Sequence, residues 1–439
     1  VKEFRQELPY PVEQVFAWHE RPGAIHRLMP PWQRTEVLEQ SSSLKDGVAR
    51  LRLPLHRTWV ARHLPDEYVA GRQFADRLDS RPFFVPVGWH HQHVFAATAG
   101  GTELIDQVET RLPAKFVDPI FRYRHRQLAG DLAAHAFADG CERLTVAVTG
   151  ASGLVGGALT AFLTTGGHRV ISLTRRAPTG PDQRQWDPGA PDPAIFEGVD
   201  AVVHLAGHSI AGRFTSEHKQ KIRDSRIEPT RKLTLAAHEA DVPVFVSASA
   251  IGYYGTGRGD QLLDEASEPG EGFLAEVVAD WEAAVSAGAS ESMRVVLVRT
   301  GIVQSPTGGA LRTQRPLFAL GLGGRIGSGK QWQSWIAIDD LVDIFHRALV
   351  DERLVGAVNA VAPEPVTQGE YAKTLGRALH RPAILPTPSL GPRLVLGAEG
   401  ERELISASQH VVPSKLRELG HQFRFDQLEP ALRHLFGTA

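Results

Sequence analysis

One cysteine, Cys141, stands in 439 residues. That excludes an internal disulfide and a cysteine-rich metal site, and it fits a reducing cytoplasm. Net charge is almost absent too, at −2. No run of Lys or Arg marks a nucleic-acid or membrane surface, so neither partner is expected. Arginine greatly outnumbers lysine, which fits genome composition better than a phosphate-binding surface. No signal-peptide pattern opens the chain, which starts at Val1. Charge is missing altogether between Arg143 and His168, and this stretch has the hydropathy of a membrane span. The glycines at 150, 153, 156, 157, 166 and 167 argue against a span. A soluble, cytoplasmic protein is expected. With 42% hydrophobic and 22% charged residues, the composition is globular, and the length predicts two or three domains.

The stretch Thr145 to Gly157, TVAVTGASGLVGG, carries the strongest signal. Val146, Ala147 and Val148 read as a buried strand. Gly150-x-x-Gly153-x-x-Gly156 follows, then an apolar helix through Leu159, Phe162 and Leu163. Small residues let the backbone turn from strand to helix and let a pyrophosphate approach the free N–H groups at the helix start. Strand, glycines and helix come in the order dinucleotide binding requires. Some 140 residues precede the motif, where it would normally open a chain.

Those preceding residues have a different pattern. Residues 1 to 8 alternate like a strand; Pro11 to Trp18 and Ala24 to Met29 read as short helices. Strand candidates follow at 35–39, 48–53, 59–64, 67–72, 73–78, 92–98 and 102–112. A longer helix, 117–137, closes the segment with Phe121, Leu128 and Leu132 as its buried stripe. This order, a sheet curled around a helix, resembles the START-like helix-grip superfamily that includes polyketide cyclases and lipid carriers. The resemblance implies a cavity for an apolar or aromatic ligand, but no reaction. Within Trp89-His90-His91-Gln92-His93, His91 and His93 share one strand face, which suits a metal or an acid–base role. No Cys, Asp or Glu lies within five residues of them, so pocket-lining or surface histidines are the preferred reading and no metal is expected.

From Leu144 strands alternate with helices, which predicts a parallel sheet. The second strand, 168–174, ends at Thr174 and is followed by Arg175-Arg176. An NAD site places a carboxylate near this strand end, to accept the ribose hydroxyls. Here two guanidinium groups stand instead, suited to a 2′-phosphate, so NADP is expected over NAD. Asp200-Ala-Val-Val-His-Leu-Ala-Gly207 reads as a buried strand ending in small residues that admit a flat cofactor. The strands 244–249 and 294–298 lead to Ser249-Ala-Ile-Gly-Tyr253-Tyr254-Gly255 and to Arg299-Thr300-Gly301. Strand ends of an open α/β sheet gather at one edge. The expected cofactor-binding residues are therefore Gly150, Ser152, Gly153, Leu154, Val155, Gly156, Thr174, Arg175, Arg176, Leu205, Ala206, Gly207, Ser247, Thr300 and Gly301.

GxxGxxG, DAVVHLAG, the Ser-rich strand ending in YG and Trp335-Ile-x-x-Asp339-Asp340 resemble the extended short-chain dehydrogenase/reductases of the sugar-nucleotide epimerase type. SASAIGYYG, the WEAA at 281–284, RTGIV at 299–303, GLGGRIGSGKQWQSWIAIDD at 321–340 and VNAVAPEPVT at 358–367 look like its atypical epimerase-like subfamily. LHRPAILPTP and VVPSKLRELGHQF match that subfamily's own C-terminal domain. The resemblance implies a START-like helix-grip domain at 1–142, an NADP-binding α/β Rossmann-type doubly wound domain at 143–385, and a small C-terminal domain at 386–439 that contributes to a substrate lobe. It implies an epimerase/reductase-like protein acting on a small molecule, a nucleoside-diphosphate sugar or an apolar carbonyl compound, with the lobe built from 250–275, 305–335 and 360–400.

One departure matters. Short-chain reductases move a proton with a Tyr-x-x-x-Lys pair, whose lysine lowers the tyrosine pKa. Four residues on from Tyr10, Tyr68, Tyr123, Tyr253, Tyr254 and Tyr371 stand Gln14, Arg72, Gln127, Gly257, Arg258 and Leu375. Counting from Trp281-Glu282, the pair's places belong to Leu274 and Val278, which move no proton. Ser249 matches the serine that accompanies the pair, and Tyr253 and Tyr254 are the substitutes at hand; these three are the candidate catalytic residues. A cofactor-binding protein without turnover, a redox sensor or ligand carrier, is the alternative. Asp339 and Asp340 read as caps of the helix 341–349, the glycines of 321–329 with Lys330 as a substrate-side loop, and Trp332 and Trp335 as ligand-stacking or packing residues.

Overall fold

The computed structural model describes residues 1–83, 87–386 and 390–439. Thr387 and Pro388, which end the LHRPAILPTP stretch, lie outside the described residues. The chain divides into two compact units. One is Val1–Asp139 with Ala161–Gly167 and His434–Ala439; the other is Gly140–Thr160 with His168–Arg433.

The first unit is an antiparallel sheet with three helices. Its elements are β1 (Lys2–Leu8), α1 (Val12–Glu20), α2 (Ala24–Leu28), β2 (Glu36–Glu39), β3 (Val48–Leu53), β4 (Arg57–His63), β5 (Gln73–Leu78), β6 (His90–Thr98), β7 (Gly101–Glu109) and α3 (Ala114–Ala136). The strand order is β1-β7-β6-β5-β4-β3-β2. Strict alternation on β6 and β7 sends His91, His93 and Phe95, and Thr102, Leu104, Asp106 and Val108, to the buried face. Phe74, Phe95 and Leu104 of the sheet pack with Phe16 and Trp18 of α1 and Leu128 and Leu132 of α3. The strand expected at 67–72 is not formed. Pro65 opens a 3-10 turn over Pro65–Glu67, and Arg72 and Gln73 both donate to the Val69 carbonyl, closing a turn around Gly71. Val69 and Ala70 are exposed there, and proline and glycine decide the backbone.

The second unit holds a seven-stranded, all-parallel Rossmann-like sheet of order β10-β9-β8-β11-β12-β14-β18. In chain order its first half runs β8 (Thr145–Thr149), the start of α4 (Leu154–Thr165, whose residues from Ala161 count with the first unit), β9 (Arg169–Thr174), β10 (Gln183–Gln185), β11 (Ala201–His204), α5 (Ser216–Asp224), α6 (Ile227–Glu239) and β12 (Val244–Ala250). Then come β13 (Gly257–Leu263), α7 (Phe273–Gly288), β14 (Arg294–Thr300), β15 (Ile302–Gln304), α8 (Gly309–Ala319), β16 (Trp332–Gln333), β17 (Trp335–Ala337), α9 (Ile338–Val350) and β18 (Gly356–Ala360). Short pairs connect later segments: β16 with β19 (Val366–Thr367), and β13 with β20 (Ser408–Val411). Leu233, Ala236 and Ala237 of α6 and Val285 of α7 pack against Ala147, Ile171, Val202 and Phe245 of the sheet. The buried strand read at 200–207 stops at His204, so Leu205 to Gly207 form the loop at its end. No helix among the described residues is long and apolar enough to cross a membrane.

Candidate functional site

The glycine turn is built as the spacing requires. Gly150 follows β8 at φ 69°, a conformation that glycine adopts without strain. A Cβ there would sit 3.0 Å from the Leu205 carbonyl carbon and oxygen, and one on Gly156 would sit 2.2 Å from the Gly150 carbonyl oxygen. The chain closes on itself through Gly153 N–H to Gly150 O at 2.9 Å, and α4 begins at Leu154. Its first turn leaves N–H groups without helical partners, at the positive end of the helix. Ser152 and Gly153 are exposed, and Leu154 and Val155 half-buried.

A buried polar chain fixes the neighbouring strand end. Thr149 Oγ1 accepts from the backbone N–H groups of Leu205 and Ala206, at 3.0 and 3.1 Å. Its one proton then goes to His204 Nδ1 at 2.8 Å, which puts the imidazole proton on Nε2, facing Thr230 Oγ1 at 2.9 Å. Trp281 Nε1 donates to the same Thr230 oxygen. Burial, reinforced by the charge of Arg226, pushes His204 down to about 4. Arg226 itself lies beside Gly207, donates to the His208 carbonyl at 2.9 Å, and is pushed by burial to about 10. Sequence reasoning did not single it out.

At the end of β9, Arg175 and Arg176 are exposed, and neither guanidinium has an acidic partner among the described residues. Thr174 Oγ1 accepts from Arg176 N–H at 3.2 Å. The adjacent strand β10 brings Gln185, not a carboxylate, opposite Thr174. Along the same sheet, Ser247 is fully buried with its hydroxyl on the Ala248 carbonyl. Thr300 donates to the Val298 carbonyl, and a Cβ on Gly301 would lie 2.5 Å from Ser334 O.

The catalytic candidates lie in one dense cluster. Register pairs Ser249 of β12 with Arg299 of β14, and α7 brings Glu282 between them. Ser249 Oγ donates to Glu282 Oε1 at 2.5 Å; Arg299 grips the same carboxylate with Nε and Nη2, both at 2.8 Å. Arg299 Nη1 donates to the Tyr254 hydroxyl at 3.0 Å, and that hydroxyl reaches Asn359 Oδ1 at 2.7 Å and the Asp264 carbonyl at 2.8 Å. Tyr254 is fully buried, and burial, opposed by Arg299, raises its pKa to about 12. The Tyr254 hydroxyl is thus engaged inside the fold. Ser249 likewise offers a ligand only its lone pairs. Tyr253 is half-buried with Arg299 stacked over its ring at 3.5 Å, and its hydroxyl has no partner among the described residues. Leu274 and Val278 are buried and pack against Gly252. Glu282 and Arg299 lay within the WEAA and RTGIV stretches, but nothing local in either assigned them a role.

Trp335 is fully buried and packs, with its Nε1 on the Glu364 carbonyl. Trp332 stacks on His410 at 3.8 Å and donates to Asp260. Asp339 and Asp340 are not caps: α9 starts at Ile338 behind Ala337, and both lie buried in its first turn. Asp340 accepts from the Arg424 N–H, and burial, with Asp343 nearby, raises its carboxyl well above the usual range.

The first unit holds a second polar cluster, at the wall of a cavity of about 900 Å³. The cavity is lined mainly by apolar side chains, among them Leu51, Trp59, Phe74, Trp89 and Ile120. The paired strands set Asp76 opposite His91 and His93 opposite Asp106. His91 Nε2 lies 2.9 Å from Asp106 Oδ1, and its Nδ1 lies 3.4 Å from Asp76 Oδ2. His125 Nε2 meets Asp106 Oδ2 at 2.6 Å. His93 Nδ1 is 2.7 Å from Asp106 Oδ1, off the direction of a hydrogen bond, and is left without a hydrogen-bond partner. Burial opposes the carboxylate of Asp106, yet the surrounding imidazoles outweigh it and hold the group well below its usual value. The carboxylates missing from the local sequence thus come from the two flanking strands.

Comparison with known proteins supports the family reading. Residues 146–360 match the NAD dependent epimerase/dehydratase family, and residues 387–435 match a domain of unknown function, DUF1731. An epimerase family protein of Mycobacterium bovis is 43% identical over 290 residues, 65% of this chain and 96% of the relative. The crystal structure of a nucleoside-diphosphate sugar epimerase from Corynebacterium glutamicum is 40% identical, with a TM-score of 0.88 over all of this chain and 90% of that one. The human epimerase family protein SDR39U1, crystallised with NADPH, is 34% identical, with a TM-score of 0.62 over 67% of this chain and 100% of its own. The chain belongs to the epimerase/dehydratase family of extended short-chain dehydrogenase/reductases, in the branch that carries the DUF1731 domain at its C-terminus.

Proposed function

We propose that the second unit binds NADP(H) and acts as an epimerase/reductase-like protein on a small molecule, a nucleoside-diphosphate sugar or an apolar carbonyl compound. The carrying observation is the pair of exposed, acid-free guanidinium groups of Arg175 and Arg176 at the end of the strand beside the glycine turn. The NADPH bound by the human relative supports the same reading. The turn fits a dinucleotide, since glycine at 150 and 156 lets strand, turn and helix pack backbone to backbone, which brings the start of α4 to the strand edge where a pyrophosphate would lie. Ser152 to Gly156 would hold the pyrophosphate, Arg175 and Arg176 with Thr174 the 2′-phosphate, and Leu205 to Gly207 the flat face of the cofactor. Ser247, Thr300 and Gly301 complete that strand edge.

Bound NADP(H) would supply hydride transfer. Toward a substrate, Ser249 would accept a hydrogen bond, held by Glu282, which Arg299 grips in turn, and Tyr253 would be the tyrosine with a proton to give. The substrate lobe is assigned to 250–275, 305–335 and 360–400 with the C-terminal segment 386–439; the Trp332–His410 stack and the β13–β20 pair link these parts. The first unit is assigned as a START-like, helix-grip domain taking an apolar ligand, on the strength of its antiparallel sheet, the long α3 and the cavity.

NADPH oxidation by the full chain, followed with nucleoside-diphosphate sugars and with apolar carbonyl compounds, tests the enzymatic reading. Saturable turnover lost in Tyr253→Phe supports it. The second reading, a cofactor-binding sensor or carrier without turnover, is favoured by the closed Ser249–Glu282–Arg299–Tyr254 cluster. NADPH binding without oxidation of the cofactor would select it.

A further inference from the structure

We propose that Asp76, His91 and His93 in the first unit form a site for one divalent transition-metal ion, with an open coordination position facing the cavity. A ring nitrogen of each histidine and a carboxylate oxygen of Asp76 all lie within 4.8 Å of one another. Two ligand atoms about 2.1 Å from a zinc-type ion at tetrahedral angles stand roughly 3.4 Å apart. His91 Nδ1 and Asp76 Oδ2 are 3.4 Å apart.

The surroundings complete the argument. A ligating imidazole usually donates its other N–H to a carboxylate, which fixes ring and tautomer. His91 does this through Nε2 to Asp106 at 2.9 Å, leaving Nδ1 toward Asp76. Asp106 is itself buried and anchored by His125, so it acts as a positioning residue behind the site. His93 Nδ1 lies 2.7 Å from Asp106 Oδ1, so the same carboxylate stands behind both imidazoles. Strand pairing sets the three ligands on one face of β5 and β6, and all three line the cavity. Two imidazoles and one carboxylate suit Zn²⁺, Co²⁺ or Fe²⁺ rather than Mg²⁺ or Ca²⁺. Three protein ligands leave room for an oxygen donor from a molecule in the cavity.

The site is tested on the full chain, stripped with a chelator and titrated with Co²⁺, with the visible absorption of the bound ion as readout and Zn²⁺ as competitor. The expected result is one Co²⁺ per chain in a four- or five-coordinate spectrum, displaced by one Zn²⁺. Asp76→Asn weakens binding about 100-fold, and Asp106→Asn about 10-fold while keeping the spectrum. Asp76→Asn is isosteric and half-buried, so it carries the test where His93→Ala fails to fold; far-UV circular dichroism confirms its fold. Absence of a coordinated spectrum, or one unchanged in Asp76→Asn, overturns the site. NADPH plays no part in this measurement, so its outcome is independent of the reading of the second unit.

Discussion

Two buried polar clusters, one in each unit, differ in a single respect. In the second unit the donors and acceptors of Ser249, Glu282, Arg299 and Tyr254 meet one another, and no side-chain atom of the four is left buried without a partner. In the first, strand pairing gathers Asp76, His91, His93, Asp106 and His125, and three of the five face a cavity. Buried polarity that closes on itself holds a fold together. Buried polarity with capacity left over, beside empty space, is available to a ligand.

The largest effect expected from this contrast is at Glu282. Glu282→Gln leaves the Arg299 guanidinium buried against a neutral amide, and unfolding free energy should fall by about 3–5 kcal/mol in urea denaturation. Next is His204, whose folded value of about 4 lies below its ordinary 6.5 because burial disfavours the imidazolium. Between those values the unfolded chain binds the extra proton. The contribution of His204 is therefore complete above about pH 6.5, declines as pH falls toward 4, and amounts to about 3 kcal/mol. Urea unfolding across that range should show a shallower pH slope in His204→Gln than in the unaltered chain. Asp76→Asn removes a charge from the open cluster, where the cavity relieves the change, and should cost about 1 kcal/mol or less. A loss matching that of Glu282→Gln would erase the distinction between the clusters. Smallest is Tyr253→Phe, which keeps the ring under Arg299 and should move stability by no more than about 0.5 kcal/mol. Lost turnover in that variant then reads as chemistry.

The same contrast explains how much the sequence discloses. Alternation along β6 and β7 announces which residues face inward, and the order of strand, glycines and helix announces the turn at Gly150. Both are properties of neighbours in the chain. The partners of His91 and His93 are not, because Asp76 and Asp106 reach them only through the register of β5, β6 and β7. Glu282 and Arg299 share this history: one lies on α7 and the other on β14, and only sheet order brings them to Ser249. Leu274 and Val278 are apolar in the sequence and pack against Gly252 in the structure. That Tyr254 turns inward to Asn359 was not legible, since the partner lies on β18.

The central claim, that the edge beside the glycine turn reads a 2′-phosphate, is tested most directly by calorimetric titration of the full chain with NADPH and NADH, before and after Arg175→Ala/Arg176→Ala. Charge-assisted hydrogen bonds of about 1.5–3 kcal/mol predict NADPH binding roughly 10- to 100-fold tighter than NADH, with that preference lost in the double variant and NADH affinity unchanged. Equal affinity for the two cofactors in the unaltered chain, or an NADPH preference that survives the loss of both arginines, would contradict it.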